Sequence, residues 1–387
     1  MNLELSEEQS AVRDLAASFT DREIAPYAAE WDRAESVDRA VIGKLAALGF
    51  LGLTIPEEYG GSAGDHLAYC LVLEELGRGD SAVRGIVSVT LGLVAKSVNG
   101  YGTEEQKRHW LPRLTSGEAL GCFALTEPGT GSDAANLTTR AVRDGDDWLI
   151  SGAKTFITNG TWADVALVFA RTGGDRPEQQ GHKGITAFLV PTGLPGFTRT
   201  EIHGKLGLRG QATAELTLDN VRVPDSARLG EVGKGFRVAM SALAKGRMSV
   251  AAGCVGIARA CLEAAVRYAG EREQFGKPIA SRQLVQELLA GIAVDVEAAR
   301  LLTWKVADHI ERGLPFATES SVAKLYASEA AVRAANNALQ VFGGYGFIDE
   351  YPVGKYLRDA RVMTLYEGTS QIHQLLIGRA LTGVDAF

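Results

Sequence analysis

Apolar residues recur at helical spacing in the first and last thirds of the chain, and at alternating spacing in the middle. In the first third, Ser6 and Gln9 have the spacing of a capping box ahead of a long helical pattern. In the last third, Gly313 and Pro315 predict the end of one helix, and another is predicted from about residue 317 to 341. The apolar stripe of the earlier helix consists of Leu288, Ile292, Ala299, Leu302, Val306 and Ile310.

The middle third has the pattern of half-buried strands. Ala214, Leu216 and Leu218 alternate with polar residues. Further strand candidates are residues 148–150, 165–169 and 185–190. No helix of useful length separates them, which disfavours a parallel βαβ sheet and favours an antiparallel sheet or barrel. The predicted class is α+β, with a helical domain at residues 1–120, an antiparallel β domain at 121–229 and a helical bundle at 230–387.

Composition and charge exclude several classes of function. The 387 residues are 46% hydrophobic and 22% charged, the balance of a soluble globular protein. A net charge of -7 without a Lys/Arg run argues against nucleic acid as a partner. We find no apolar stretch of the roughly 18–20 residues that a membrane span needs. The N-terminus lacks the features of a signal or transit peptide, so we expect a cytoplasmic protein.

Cysteine and histidine usage gives no sign of metal chemistry. The six histidines are scattered singly along the chain, which argues against a metal site. The cysteines lack CxxC spacing and are predicted to be buried thiols in a reducing compartment. They are Cys70, Cys122, Cys254 and Cys261.

Common cofactor and nucleophile motifs are absent. The sequence has no GxGxxG after a strand, no GxxxxGK[ST] and no GxSxG. Three Gly-rich segments stand out instead: residues 125–133, 340–346 and 366–370. Locally, the first segment is equally consistent with a cofactor-binding loop and a Gly/Pro turn. The second is also consistent with a helix C-terminus, and a glutamate in a loop like the third is usually a solvated charge. Local chemistry alone therefore leaves the function open.

Taken together, these segments resemble the acyl-CoA dehydrogenase family. The shared motifs are TEPGTGSD at 126–133, FITNG at 156–160, REQFGK at 272–277, QVFGG at 340–344 and YEGTSQ at 366–371. Residues 51–61, 205–210 and 221–224 also resemble that family, so the likeness covers nearly the whole chain. It implies a helical N-terminal domain, a central β domain and a C-terminal four-helix bundle. It also implies FAD as cofactor and a homotetramer.

The resemblance assigns residues to the cofactor and the substrate. Those that match contacts to the flavin are Phe123, Leu125, Thr126, Gly131, Ser132, Phe156, Ile157 and Thr158. Those that match contacts to the adenosine part, made across a subunit interface, are Arg272, Gln274, Phe275, Arg282, Gln283, Gln340, Val341, Gly343 and Gly344. Thr369 and Gln371 complete that site, and Ser132, Arg247 and Gly368 match contacts to the thioester.

Glu367 matches the catalytic base of the family. The implied reaction converts an acyl-CoA to a trans-2-enoyl-CoA: the base removes the α-proton while the β-hydride moves to the flavin. Electron-transfer flavoprotein is the implied electron acceptor. Some members carry the base on an earlier helix, at the position that matches Gly246 here, which cannot serve.

Two departures from the family pattern leave alternatives open. Ala244 stands where an aspartate often contacts the thioester ligand, which leaves room for an acyl carrier protein as thioester donor. Phe156 stands where many members have a tryptophan near the docking site of electron-transfer flavoprotein, so a flavin oxidase on the same fold is a further possibility. A non-catalytic thioester-binding protein is disfavoured because Glu367 is present with the complete set of flavin motifs.

Overall fold

A computed structural model describes residues 4–173 and 181–385 of the chain. Its N-terminal part is helical, as predicted. The helices are α1 (Glu7–Glu23), α2 (Ala28–Ala34), α3 (Ala40–Ala47), α4 (His66–Gly79), α5 (Ser81–Val87), α6 (Lys96–Tyr101) and α7 (Glu104–Thr115). The predicted capping box begins α1, since the Ser6 hydroxyl accepts from Gln9 N–H at 3.1 Å and the Gln9 side chain accepts from Ser6 N–H at 3.0 Å.

Helices α5 and α6 are joined by a π-helical segment, Ser88–Ala95, into one apolar helix, Ser81–Tyr101. This helix and the later Gly235–Glu271 are long and apolar enough to cross a membrane, so the expectation that no stretch has this length was wrong. The most apolar window of each is 100% and 78% buried within the fold. Helices at the centre of a large core have this composition because they are surrounded by protein on all sides.

The central part of the chain forms an eight-stranded sheet. Its strands are β1 (Gly121–Ala124), β2 (Arg140–Asp144), β3 (Asp147–Thr158), β4 (Val165–Arg171), β5 (Ile185–Pro191), β6 (Phe197–Glu201), β7 (Thr213–Pro224) and β8 (Arg228–Leu229). The order is β6-β7-β3-β2-β4-β5-β8, with β1 also paired to β4. A separate two-stranded ribbon pairs β9 (Glu273–Gln274) with β10 (Lys277–Pro278).

The sheet is mixed: most of its strand pairs are antiparallel, as the sequence predicted, but β4 also pairs in parallel. Strand β1 runs parallel to β4, with Gly121 opposite Val165, and β2 meets β4 in parallel at a single pair. The sequence argument assumed that a parallel pair needs a crossover helix. Here the β2–β3 hairpin lies between β1 and β4, and a connection of that length is sufficient to return the chain in the same direction.

Strand β4 is buried on both faces of the sheet. Leu167 and Phe169 join the main core, which is shared with the helices. Ala166 and Val168 face a second core on the opposite side of the sheet. A near-continuous apolar strand is the pattern expected where both faces are covered. The β domain is thereby attached firmly to the helices, which fixes the end of β1 against them.

The C-terminal part is a helical bundle. Its helices are α8 (Gly235–Glu271), α9 (Gln283–Glu311), α10 (Ala317–Phe342), α11 (Val353–Met363) and α12 (Ser370–Thr382). Helices α8, α9 and α10 pack on one another, α11 and α12 pack on α10, and α4 packs on α8. The predicted end near Gly313 and the predicted helix at 317–341 are confirmed. All four cysteines are buried free thiols, also as predicted.

Candidate active site

Glu367 lies in the turn between α11 and α12, in the left-handed region of backbone conformation (φ 50°). Gly368 follows with φ 101°, which glycine adopts without the steric cost of a Cβ. A non-glycine residue at positive φ is uncommon and stores backbone strain. The turn directs the Glu367 side chain toward α8, against which its carboxylate is buried.

The Glu367 carboxylate has space because residue 246 is glycine. A Cβ on Gly246 would lie 2.2 Å from Glu367 Oε2 and 2.8 Å from Leu93 Cδ2. Within the described residues, Oε2 is buried without a hydrogen-bond partner. Burial raises the pKa of Glu367 to about 7, against the opposing effects of Arg84, Arg247 and Lys324. The side chain can therefore take up or release a proton near neutral pH.

Two cations contact the backbone carbonyls of the Glu367 turn. Lys324 Nζ donates to the Gly368 carbonyl at 2.7 Å, and Arg247 Nε donates more weakly to the Glu367 carbonyl at 3.4 Å. His373 is fully buried with its ring against Gly368. These contacts hold the two carbonyls of the turn in place. Thr369, predicted as a site residue, caps α12 by accepting from Ile372 N–H at 3.3 Å.

Arg84 is a site residue that the sequence analysis missed. It is fully buried beside the turn, where its Nη2 donates to the Tyr366 hydroxyl at 2.7 Å and its Nε has no partner among the described residues. Among the described residues no carboxylate forms an ion pair with Arg84; burial lowers its pKa, but Tyr366, Cys254 and Glu367 together raise it above its usual value. A signal was present in the sequence, since Arg84 is a lone charge near the start of a long apolar segment.

The predicted flavin-contacting residues lie at the ends of adjacent strands. Phe123 is on β1, Leu125 and Thr126 follow it, and residues 156–158 end β3. Thr155 N–H donates to the Thr126 carbonyl at 3.0 Å, which joins the two segments. Phe156 has φ 57° and leaves 69% of its side chain exposed. Gly131 and Ser132 are exposed in the loop that follows.

A buried ion pair holds these two segments together. Lys154 Nζ donates to Glu127 Oε1 at 2.8 Å and to the Leu125 carbonyl at 3.0 Å. The Glu127 carboxylate also accepts from the N–H and hydroxyl groups of Thr138 and Thr139. The Lys154 charge and these hydrogen bonds outweigh burial and hold the pKa of Glu127 at about 2. We call this pair the loop clamp; the sequence analysis did not identify it.

The predicted adenosine-binding residues gather at a separate surface pocket of about 540 Å³. Arg272, Gln274, Val341, Gly343 and Gly344 all line it, and none of the predicted flavin-contacting residues do. The Arg272 guanidinium lies over the Tyr345 ring, 5.4 Å from its centroid. A Cβ on either glycine would meet nothing within 4 Å, so the backbone there is open to a ligand.

Other predicted residues lie outside this lining. Arg282 donates from Nη2 to the carbonyls of Gln274 and Phe275, and so braces its own loop. Phe275 has φ 53° and is 92% exposed. Exposed polar side chains near the pocket or the turn are Gln283, Gln340 and Gln371. One chain therefore brings its predicted residues together in two groups, around Glu367 and around Arg272.

Models of three acyl-CoA dehydrogenase domains match the chain. The N-terminal domain model matches residues 6–118, the middle domain model residues 122–221 and the C-terminal domain model residues 233–382. The chain belongs to the acyl-CoA dehydrogenase family. It is an oxidoreductase, and the family consists of flavoproteins of fatty acid β-oxidation. The predicted family and fold are confirmed.

Similar proteins align with nearly the whole length of this chain. The acyl-CoA dehydrogenase of Bacillus subtilis (strain 168) is 44% identical over 381 residues, which cover 98% of this chain and 100% of that one. The mitochondrial short-chain specific acyl-CoA dehydrogenase of Homo sapiens is 42% identical over 376 residues, which cover 97% of this chain and 90% of that one.

Solved structures show the same likeness. Butyryl-CoA dehydrogenase from Megasphaera elsdenii has a TM-score of 0.95 at 41% identity, covering 98% and 100% of the two chains. A chain in the structure of the electron transferring flavoprotein of Acidaminococcus fermentans has a TM-score of 0.96 at 41% identity, covering 99% and 100%. A glutaryl-CoA dehydrogenase from Mycobacterium smegmatis in complex with FADH2 has a TM-score of 0.94 at 39% identity, covering 99% and 96%.

Proposed function

We propose that this acyl-CoA dehydrogenase converts a short acyl-CoA to the trans-2-enoyl-CoA with Glu367 as the base. The observation that carries the proposal is the buried Glu367 carboxylate, whose Oε2 lacks a partner among the described residues and whose pKa is about 7. A general base is most effective when its pKa lies near the working pH. The similarity to a short-chain specific acyl-CoA dehydrogenase and to a butyryl-CoA dehydrogenase supports a short acyl group.

Glu367, Lys324 and Arg247 each have a part in the proposed step. Glu367 Oε2 accepts the α-proton, and the backbone N–H of Glu367 donates to the thioester carbonyl and stabilises its developing negative charge. Lys324 and Arg247 keep the turn in place by holding its carbonyls. FAD, when bound, supplies the acceptor for the hydride that leaves the β-carbon.

The arrangement of the chain fits FAD. Arg272 offers a planar guanidinium suited to a diphosphate, beside Gly343 and Gly344, whose backbone is open. Thr126 and Thr158 end the two segments joined by the loop clamp, on the β-domain side. The residues around the Arg272 pocket are separate from those around Glu367 within one chain. We therefore propose that Arg272 and Gln274 bind the FAD of a neighbouring subunit in a homotetramer.

Electron-transfer flavoprotein is the proposed electron acceptor. The likeness to a chain in the electron transferring flavoprotein structure supports it. Phe156 presents an exposed ring at the end of β3, where the flavin-contacting segment reaches the surface. A Phe156→Ala variant should bleach normally with substrate and reduce the acceptor more slowly, whereas equal loss of both rates would place Phe156 in the chemical step instead.

The central test is anaerobic bleaching of the purified, FAD-loaded protein by butyryl-CoA. We expect the flavin absorbance to fall and crotonyl-CoA to form. Turnover of a carrier-bound butyryl group, with none of butyryl-CoA, would show that a carrier protein and not CoA supplies the thioester. Rapid peroxide formation in air would indicate an oxidase. If the protein binds FAD but none of the acyl thioesters reduces the flavin, the proposed function is refuted.

A second candidate substrate class is the CoA thioester of a short dicarboxylic acid, favoured by Arg84. This buried guanidinium forms no ion pair with a carboxylate in the part of the chain that the structure describes, and a buried cation ordinarily has one. A Cβ on Gly253 would meet Arg84 Cδ at 2.5 Å, whereas one on Gly246 would meet Glu367. These glycines are seven residues apart on α8, or about 10 Å. A short dicarboxylyl chain, hydrogen-bonded at each end, spans about this distance.

Glutaryl-CoA and butyryl-CoA distinguish the two candidates, since a glutaryl-CoA dehydrogenase is among the structural neighbours. If Arg84 binds a carboxylate, wild type should prefer glutaryl-CoA, and Arg84→Met should lose that preference by roughly 10-fold or more, the scale of a charged hydrogen bond. If Arg84 serves only to lower the pKa of Glu367, Arg84→Met should change both rates equally and shift the pH profile.

A further inference from the structure

Gln211 occupies a buried position for which the proposed reaction has so far given no role. It lies just before β7, and its Oε1 accepts from the Thr158 hydroxyl at 3.4 Å. Its Nε2 is buried without a partner among the described residues. Thr158 belongs to the segment assigned to the flavin, so Gln211 lies on the cofactor side of the proposed active site. An unpartnered buried amide is uncommon in a native interior.

The Gln211 amide fills the space in front of Gly85. A Cβ on Gly85 would lie only 1.8 Å from Gln211 Nε2 and 3.1 Å from its Cδ. No side chain on residue 85 is compatible with the observed Gln211 position. The Thr158 Cγ2 lies 3.8 Å from the same point. Gly85 and Gln211 thus form an interlocked pair, in which the glycine makes room for the long side chain.

Gly85 begins a helix face that leads to Glu367. Val89 and Leu93 follow at spacings of four residues, which place them on the same face of the helical segment. Leu93 lies beside Gly246 and the Glu367 carboxylate. This face therefore extends from the base to Gln211, over roughly 10 Å.

The same face belongs to an apolar cluster separate from the main core. Val89, Leu93 and Ala242 form a small apolar cluster of their own, packed by Phe123, and keep 8%, 4% and 5% of their surface exposed. Leu91 and Val94, on the other faces of the same segment, are fully buried in the main core. A small apolar cluster beside the Glu367 carboxylate is a suitable wall for an acyl chain.

We propose that Gln211 closes the acyl pocket at the end away from Glu367 and so restricts this enzyme to short acyl groups. The proposal rests on the proposed acyl-CoA dehydrogenation and deepens it by naming the residue that sets acyl length. Gln211 acts through its volume: the side chain ends the Val89–Leu93 wall where a longer chain would continue. Its amide nitrogen lies against Gly85, at the start of that wall.

Gln211→Ser and Gln211→Leu are the matched variants. Serine opens the pocket end, whereas leucine fills nearly the same volume without the amide. We expect Gln211→Ser to raise the ratio of kcat/KM for hexanoyl-CoA to that for butyryl-CoA by roughly 10-fold or more, the scale of added methylenes in a pocket. Gln211→Leu should keep the wild-type ratio. An unchanged ratio in Gln211→Ser, with butyryl-CoA still turned over, refutes the role of Gln211.

Gly85→Ala tests the interlock independently. The new Cβ must displace the Gln211 amide, so this variant should also change the hexanoyl-to-butyryl ratio. In the Gln211→Ser background, where the amide is absent, Gly85→Ala should have little further effect. If the effects of the two substitutions simply multiply, Gly85 and Gln211 are not coupled and the proposal fails. Wild type that turns over no acyl-CoA at all would instead refute the proposed function itself.

Discussion

At the residue scale, the proposed base is the Glu367 carboxylate, because Gly246 cannot serve as the alternative base. We predict that Glu367→Gln keeps FAD and ligand binding, since size and hydrogen bonding are retained, and lowers the rate of flavin bleaching. General-base catalysis contributes roughly 10²–10⁴-fold. Anaerobic stopped-flow bleaching with saturating butyryl-CoA measures this loss. Bleaching at the wild-type rate would place the base elsewhere.

The contact between Gly246 and Glu367 allows the base to be moved. Because a Cβ at residue 246 would clash with the Glu367 carboxylate, Gly246→Glu alone should be inactive or unstable. Combining it with Glu367→Gly removes the clash and presents a carboxylate from α8 instead. We predict that the double variant bleaches faster than Glu367→Gly alone. Equal rates for the two would show that the α8 position does not reach the α-carbon.

The pKa of Glu367 predicts the pH dependence of the reaction. The carboxylate is the active form, and burial raises its pKa to about 7, so kcat/KM should rise with pH through a midpoint near 7 and level off above it. Arg84 opposes that rise in pKa. Arg84→Met should therefore move the midpoint to higher pH. A profile that falls as pH increases through 7 would be inconsistent with Glu367 as the base.

Among the elements, the loop clamp joins the two segments that face the proposed flavin. Lys154→Met leaves the Glu127 carboxylate buried without its cation, and breaking a buried pair in this way costs about 3–5 kcal/mol. We predict a lower Tm and release of FAD at a lower temperature, both of which thermal scans of flavin fluorescence would measure. Lys44→Met is the control, because the Lys44–Glu23 pair is exposed and such pairs contribute about 0–1 kcal/mol.

For the whole molecule, exposed apolar side chains of the C-terminal part predict an assembly. Large examples are Phe275, Leu284, Val294, Phe347 and Leu381. Surfaces of this kind are usually covered by a partner. We predict a homotetramer in which Phe275→Asp weakens both assembly and FAD binding, measured by light scattering and flavin content. Val142→Asp, at a 59% exposed position of β2, should alter neither. A monomer with full FAD occupancy would contradict the shared site.

Local physics explains which parts of this molecule could be predicted from its sequence. The capping box of Ser6 and Gln9, and the helix end near Gly313, depend on neighbours a few residues away. The Glu367 segment was found through its resemblance to a family whose motifs are contiguous in sequence. The parallel pairing of β1 with β4 was missed because strand direction depends on the path of the intervening chain.

The sequence by itself determined the order of helical and strand segments and singled out Glu367 as the proposed base, because both depend on short stretches of the chain. Only the tertiary structure decided what surrounds that base. Arg84, Arg247 and Lys324 come from three distant segments, and nothing in their local sequence links them to Glu367. Packing brings them together, and burial then raises the pKa of a carboxylate that would be unremarkable in water.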